Sequence, residues 1–459
     1  MLGLFFALLL IAIITVLLRP RPIWGLPALV FLLPFERIGS FETHLSGTTL
    51  TIRPDQLVGA ALILVCLLEW RRLSFKFPID KLELLPVIYL LAGVLSLSGA
   101  ISVKRGLFVL GFSVFMWVLF LVVRRLAISA DLSLLGKILG VTTLVALLFG
   151  LYQFMGDTFG LGIHWTGLRE AYTKAVFGFP RIQSFAQEPL YLADFLLIPL
   201  GIFASLLLRK PNRRHALIVG LLSLVITMTL SRGGYAGSIM ILIIVAVVFW
   251  SRRGALVLGG VVLAGILAGM LFISGATFWQ QEGVQKIENF THQATNVETG
   301  ASVSERSQWR HMALDAFKGR PIFGIGIGNF GRWAHQQNPA VPEAAIVNNE
   351  PLELLAETGV VGFGAILAFV LAILWRSWRA LREATDEMHR IWLVGLTAAV
   401  IGIGGQYQTF STLYITYIWV ALGLLVAVQD RIFGAFIPVD VKVEQEQIRN
   451  TPKRKKRRR

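Results

Sequence analysis

Residues 2–18 read LGLFFALLLIAIITVLL, seventeen apolar or neutral residues in succession, and residues 241–250 repeat the theme with ILIIVAVVFW. A helix rises 1.5 Å per residue, so blocks of about 17–25 such residues match the hydrocarbon thickness of a bilayer. Working outward, apolar blocks recur near 23–35, 57–70, 84–100, 106–123, 134–155, 185–208, 216–230, 235–250, 255–273, 352–375, 391–408 and 413–429. The rest of the composition agrees. Of the 459 residues, 55% are hydrophobic and 15% charged, too little polar surface to wrap a water-soluble globule. The expected fold class is therefore all-α: a polytopic integral membrane protein with about 12–14 transmembrane helices and one large extracytoplasmic loop domain. The first block lacks a basic segment before it and a small-residue cleavage pattern after it, which predicts a retained helix. The single cysteine, Cys66, lies inside an apolar block and offers neither a disulfide nor a CxxC redox site.

Charge orients the blocks. The chain carries 43 Lys and Arg against 27 Asp and Glu, a net charge of +16. Most of the basic residues fall in one alternating set of loops: Arg19/Arg21, Arg71/Arg72, Arg124/Arg125, Arg209–Arg214, Arg252/Arg253, Arg376–Arg390, and the tail from Arg431 onward. The positive-inside rule puts that set in the cytoplasm. The opposite side receives the longer loops, 36–56, 156–182 and roughly 274–349, so the working face is expected there. The chain accordingly divides into N-terminal transmembrane helices (1–135), central ones with the outer loop 156–182 (136–273), an extracytoplasmic loop domain (274–349), C-terminal transmembrane helices (350–430) and a basic cytoplasmic tail (431–459). The tail ends in KRKKRRR, which suits either anionic lipid headgroups or a solvated end that reinforces orientation. Nucleic acid is not an expected partner, because no aromatic-interleaved basic domain accompanies the charge.

The long outer loop contains SVSERSQWRHMALDAFKGR. Ser302 and Glu305 have capping-box spacing, Trp309, Met312, Ala313, Ala316 and Phe317 recur at helical intervals, and Gly319 with Pro321 stops the pattern. Arg306 and Arg310 stand four apart, on one face. In PIFGIGIGNFG, residues Gly326, Gly328 and Gly331 fit G-x-G-x-x-G. Without a surrounding βαβ unit this predicts a tight turn or close backbone approach rather than a dinucleotide site. At NNEPLELLAETGVVG the chain re-enters the membrane; Asn348 or Asn349 caps the helix and Pro351 occupies its first turn. Such a helix start is a ready anion site. Glu353 and Glu357 share a face near the boundary, where carboxylates need a partner or water. On the same side lie SRGG (231–234) and FPRIQSFAQEPLYLADF, with Arg181 and Glu188 just ahead of a span. Arginine forms two charge-assisted bonds to phosphate at once, so Arg181, Arg232 and Arg306 converging on one outer cavity would make a pyrophosphate site.

At these residues the chain resembles the O-antigen ligase and polymerase superfamily of bacterial membrane glycosyltransferases (the Wzy-C type). The resemblance spans roughly residues 140–430 and rests on RIQSFAQEP, SRGG, SERSQW…GRPIFGIGIGNF and NNEPLELLAETGVVG, in that order. It implies transfer of a glycan from undecaprenyl diphosphate, on the outer face of the bacterial inner membrane, to lipid A–core or a related glycan acceptor. No cofactor and no metal is implied, because the lipid diphosphate is itself the leaving group. Arg232 and Arg306 correspond to the arginines that neutralise the developing diphosphate charge, with Arg181, Glu188, Arg310, Asn349 and Glu350 as further substrate-binding positions. The family's histidine position before re-entry is Asn348 here. Asparagine cannot act as a general base, so it would orient the acceptor, and Glu350, Glu188, His311 and His335 are the outer candidates for the proton. The transfer reading in turn predicts an amphipathic lid near residues 279–317 and attack that inverts the anomeric configuration. Two other readings stay open: an O-antigen or exopolysaccharide polymerase on the same scaffold, and a lipid-linked glycan transporter. The absence of an internal repeat and the one-sided polar features weigh against the transporter.

Overall fold

The computed structural model describes residues 2–45, 48–69, 81–174, 178–278, 301–411 and 413–434. Each of the thirteen apolar blocks coincides with a helix. These are α1 (Leu2–Leu18), α2 (Gly25–Leu32), α3 (Pro54–Leu68), α4 (Lys81–Ser96), α5 (Val103–Ala127), α6 (Leu132–Thr158), α7 (Pro189–Arg209), α8 (Arg213–Thr229), α9 (Arg232–Val248) and α10 (Arg252–Phe278). In the long loop α11 (Ala301–Gly319) and α12 (Phe330–Gln337) follow, and α13 (Glu350–Glu383), α14 (Glu387–Gln406) and α15 (Thr416–Ile432) complete the chain. Among the described residues, seven helical segments are long and apolar enough to cross a membrane: α4 to α7, α10, α13 and α14. Helices such as α8, α9 and α15 have 17 residues each, about 25 Å of rise, and fall just short by length. The fold is an all-α polytopic membrane protein.

One departure from helix was not foreseen. Phe41–Leu45 and Thr48–Ile52 form a two-stranded antiparallel hairpin, β1–β2, with Phe41 opposite Ile52. Its second strand, TTLTI, is rich in β-branched residues, which fit a pleated surface.

The core is centred on α7, α14 and α15, which are enclosed by neighbours, whereas α10 lies on the rim. Close approach depends on glycine. A Cβ at Gly237 would sit 2.7 Å from the Gly402 carbonyl oxygen, and one at Gly201 would sit 2.2 Å from that of Gly395. Small residues at such crossings bring helix backbones into contact, the usual device of membrane bundles.

Polar contacts sort to the two ends of the bundle. At one end Arg124 is buried between Glu83 (Nη1–Oε1 2.6 Å) and Asp430 (Nε–Oδ2 2.7 Å), and Arg376 joins the same Asp430 at 2.7 Å. Arg209–Glu387 lies at this end too. Arg124 and Arg376, counted for orientation as loop charges, therefore also cross-link α4, α5, α13 and α15. At the opposite end the longer connections meet: Arg37 donates to the Gly167 carbonyl, Glu36 accepts from the Gln187 amide, and Asn329 accepts from the Ser102 amide.

The re-entry helix is broken. Gly359 has φ +66° and ψ −169°, so Glu350–Thr358 and the stretch from Val360 onward are separate helical segments. The glycine loop lies against the break: Ile325 and Gly326 donate to the carbonyls of Ala356 and Glu357, and Val360 donates to Pro321. A Cβ at Gly324 would lie 2.3 Å from the Glu357 carbonyl carbon, and one at Gly359 2.2 Å from the Ile322 oxygen. The reading of the motif as a turn with close backbone approach holds: Gly326 and Gly328 have φ +109° and +70°, and a Cβ at Gly331 would sit 2.4 Å from the Glu343 carbonyl oxygen.

Candidate functional site: an arginine cluster at the mouth of an apolar groove

Helix α8 ends at Thr229, and the chain turns through Leu230 in the left-handed region (φ +54°), a conformation costly for a non-glycine residue. Ser231 then caps α9, its Oγ accepting from the Gly234 amide at 3.1 Å. This turn sets Arg232 as the first residue of α9, exposed at the bundle end. The two glycines after it are dictated by packing. A Cβ at Gly233 would meet Thr409 Oγ1 at 2.4 Å, and one at Gly234 would meet Ala193 at 2.8 Å.

Arg181 holds the turn from outside. Its Nε and Nη2 donate to the Thr229 carbonyl at 3.3 and 3.1 Å, and its guanidinium lies 5.8 Å from the centre of the Tyr172 ring. Burial lowers the Arg181 pKa from its ordinary value, and the positive charge of Arg306 lowers it further.

Arg306 and Arg310 come from α11. Packing of Ala313 and Ala316 into a small second core, with Trp309 and Met312 against it, fixes that helix on α12 and the first segment of α13. It ends at Gly319, as the Gly319/Pro321 signal predicts. Ser302 and Glu305, read as a capping box, lie outside the described side chains, as do residues 279–300 of the expected lid. Arg306 is half-buried. Its pKa is lowered by that burial, then by the neighbouring charges of Arg310 and Arg232, with Glu188 acting in the opposite sense. Thus Arg306 lies within electrostatic reach of Arg310 on its own helix and of Arg181 and Arg232, each from a separate stretch of chain.

Arg310 ties this cluster to the re-entry point. Its Nη2 donates to the Gln408 carbonyl at 2.9 Å, and Asn349 Nδ2 donates to the same oxygen at 3.1 Å. Nε of Arg310 is buried and has no hydrogen-bond partner among the described residues. Asn349, rather than Asn348, caps α13, accepting from the Leu352 amide at 3.0 Å, with Pro351 in the first turn. Asn348 precedes it in the left-handed region (φ +54°), which asparagine tolerates better than most residues, and is half-buried.

The remaining candidates divide. Glu188 borders the cluster with its side chain 40% exposed, and Arg169 Nη1 lies 3.9 Å from its Oε1. Glu350 is buried, and its Oε2 accepts from the Leu413 amide at 3.3 Å. His311 faces outward on α11, while His335 Nδ1 is bonded to the Val341 carbonyl at 2.7 Å, in the second core. Glu353 and Glu357 hold loops: Glu353 accepts from the Val347 amide, and Glu357 accepts from the amides of Gly328 (2.7 Å) and Phe330 (3.0 Å). The G-x-G-x-x-G segment is thus a backbone nest for a carboxylate of the same chain.

Beneath Arg232 runs a groove of about 690 Å³ between α9, α13 and α14. Ala236, Met240, Val370 and Val400 line its length, while Arg232 and Gln408 stand at its polar end. Sequence reasoning missed this groove, because its walls come from helices more than a hundred residues apart. It also missed Gln408, whose functional group here is a backbone carbonyl.

A comparison with curated proteins gives no match. Residues 217–367 match a family model, Wzy_C, described as O-antigen ligase; the matched region includes the SRGG turn, α11 with both of its arginines, the glycine loop and the first half of the re-entry helix. Over that third of the chain the protein is similar to the O-antigen ligase family.

Proposed function

We propose that the protein is a metal-independent glycosyltransferase. It moves a glycan from undecaprenyl diphosphate to lipid A–core or a related glycan acceptor on the extracytoplasmic face of the inner membrane. The observation that carries this reading is the placement of Arg232 at the polar end of an apolar groove, within electrostatic reach of Arg306. A polyprenyl diphosphate has the matching form, a long apolar chain ending in a compact polyanion. The tail lies along Ala236, Met240 and Val400, and the diphosphate sits among the guanidinium groups, where the buried Nε of Arg310 gains an acceptor. Like charges gathered in a partly buried site repel one another until an anion enters, so the cluster is matched to the charge that grows on the departing diphosphate.

In this reaction the acceptor hydroxyl attacks the anomeric carbon opposite the diphosphate, and the product has inverted configuration. Arg232 and Arg306 stabilise the leaving group. Arg181 acts through the Thr229 carbonyl as a positioning residue for Arg232. Asn348 and Asn349 border the acceptor side.

Polymerisation of repeat units on the same scaffold uses the same donor site and differs in the acceptor. Incubation of purified protein with a polyprenyl-diphosphate oligosaccharide, with and without lipid A–core, separates the readings on a gel. Transfer to lipid A–core identifies a ligase and a ladder of longer donors a polymerase. An unchanged donor in both reactions contradicts enzyme activity on this substrate.

A further inference from the structure

The proposed reaction releases a proton from the acceptor hydroxyl, and Asn348 has no group of suitable basicity to take it. We propose that Glu188 is the general base; the inference rests on the glycan-transfer reading above.

Four side chains compete for this role, and their surroundings separate them. Glu350 is enclosed by the 407–413 loop and engaged with the Leu413 amide. His335 is held by the Val341 carbonyl within the second core, and His311 points outward from α11. Glu188 alone among the four combines solvent access with proximity to the arginine cluster. Its side chain is 40% exposed, and it opens α7 about a turn and a half before Ala193, which packs against Gly234 in the first turn of α9, directly behind Arg232. Its charge also acts on Arg306 and Arg181. Arg306 senses Glu188 and Arg232 together. A sugar held by its diphosphate at Arg232 and Arg306 therefore has a carboxylate near it on the Arg169 and Tyr172 side.

The carboxylate is also positioned rather than loose. Glu188 is the N-cap residue of α7 but its side chain makes no capping bond, so the carboxylate is not spent on its own helix. The residue before it is fixed: the Gln187 amide donates to Glu36 Oε2 at 2.9 Å, and Arg53 steadies that glutamate from the other side at 3.4 Å. Arg169 Nη1 lies 3.9 Å from Oε1, which orients the carboxylate while leaving lone pairs for an incoming hydroxyl.

The step balances. As the acceptor oxygen bonds to the anomeric carbon, its proton passes to a Glu188 oxygen. The bond from the anomeric carbon to the diphosphate breaks, and its electron pair stays on the diphosphate oxygen beside Arg232 and Arg306.

The test compares wild-type protein with Glu188→Gln and Glu188→Ala, purified in detergent, using a polyprenyl-diphosphate oligosaccharide donor. With a hydroxyl acceptor, both variants should lose turnover on the order of 10²- to 10⁴-fold at unchanged donor KM. Azide attacks the anomeric carbon without a proton to lose, so Glu188→Ala supplied with azide should form a glycosyl azide of inverted configuration at a restored rate. Near wild-type turnover by Glu188→Gln, or an alanine variant silent toward azide while still binding donor, overturns the assignment. Failure of wild-type protein to transfer at all is a separate result; it rejects the glycan-transfer reading, and the inference with it.

Discussion

The guanidinium of Arg181 donates twice to the Thr229 carbonyl, from Nε at 3.3 Å and from Nη2 at 3.1 Å. Thr229 is the last residue of α8, and the strained Leu230 turn and Arg232 follow directly. An arginine from one loop thereby holds the turn of the chain that carries another. Hydrogen bonds from charged groups contribute about 1.5–3 kcal/mol. Arg181→Ala should therefore lower glycan transfer roughly 10- to 100-fold, as measured by initial rates with saturating acceptor. Arg181→Lys, which keeps the charge but loses the fork, should recover only part of the loss.

The glycine pair of SRGG is expected to resist any added side chain. A methyl group at Gly233 would stand 2.4 Å from Thr409 Oγ1. Overpacking of this kind costs about 1–3 kcal/mol. Gly233→Ala should lower the melting temperature of the detergent-purified protein, and Thr409→Ala combined with it should recover part of the drop. Additive losses in the double variant would show that the contact is not what excludes alanine.

Glu357 links the glycine loop to the broken re-entry helix through the amides of Gly328 and Phe330. Glu357→Gln keeps the shape but leaves one acceptor oxygen and sets an NH2 donor against the other backbone N–H. Faster hydrogen exchange confined to residues 324–330 and the first segment of α13 is the expected outcome. Glu357→Ala should destabilise further, by about 1–3 kcal/mol, because it leaves two buried amides without acceptors.

Filling the groove separates tail binding from chemistry. Ala236→Trp or Val400→Trp places a large ring where the apolar wall now lies. The KM for a long polyprenyl donor should rise at least several-fold. A donor with a short isoprenoid tail, which does not reach these positions, should show the same kinetics as with wild-type protein. Equal effects on both donors would remove the groove from the tail's path.

Much of the architecture was legible because it follows from one quantity, the length of uncharged apolar runs. All thirteen blocks became helices, and the small second core at Ala313 and Ala316 followed the spacing read from SERSQWRHMALDAF. Lone residues that act through backbone geometry were not legible. Gly359 looks like an ordinary glycine in a long apolar run, and its break depends on the 320–326 loop packed against it. The G-x-G-x-x-G letters were read as a turn, but their carboxylate ligand, Glu357, lies 26 residues beyond the last glycine and could be paired with them only in three dimensions. Arg124 was counted as a loop charge because sequence does not reveal that Glu83 and Asp430 enclose it. The Arg181–Thr229 bond was hidden for the same reason, since its acceptor is a main-chain oxygen.

The central claim is that Arg232 and Arg306 act together on one diphosphate. Its most direct measurement is the transfer rate of purified Arg232→Ala, Arg306→Ala and the double variant with a polyprenyl-diphosphate oligosaccharide, alongside their elution profiles in detergent. The account predicts monodisperse proteins whose single substitutions each abolish transfer, with the double variant little worse than either, because the two guanidiniums serve one charge. Full activity in both single variants would contradict it.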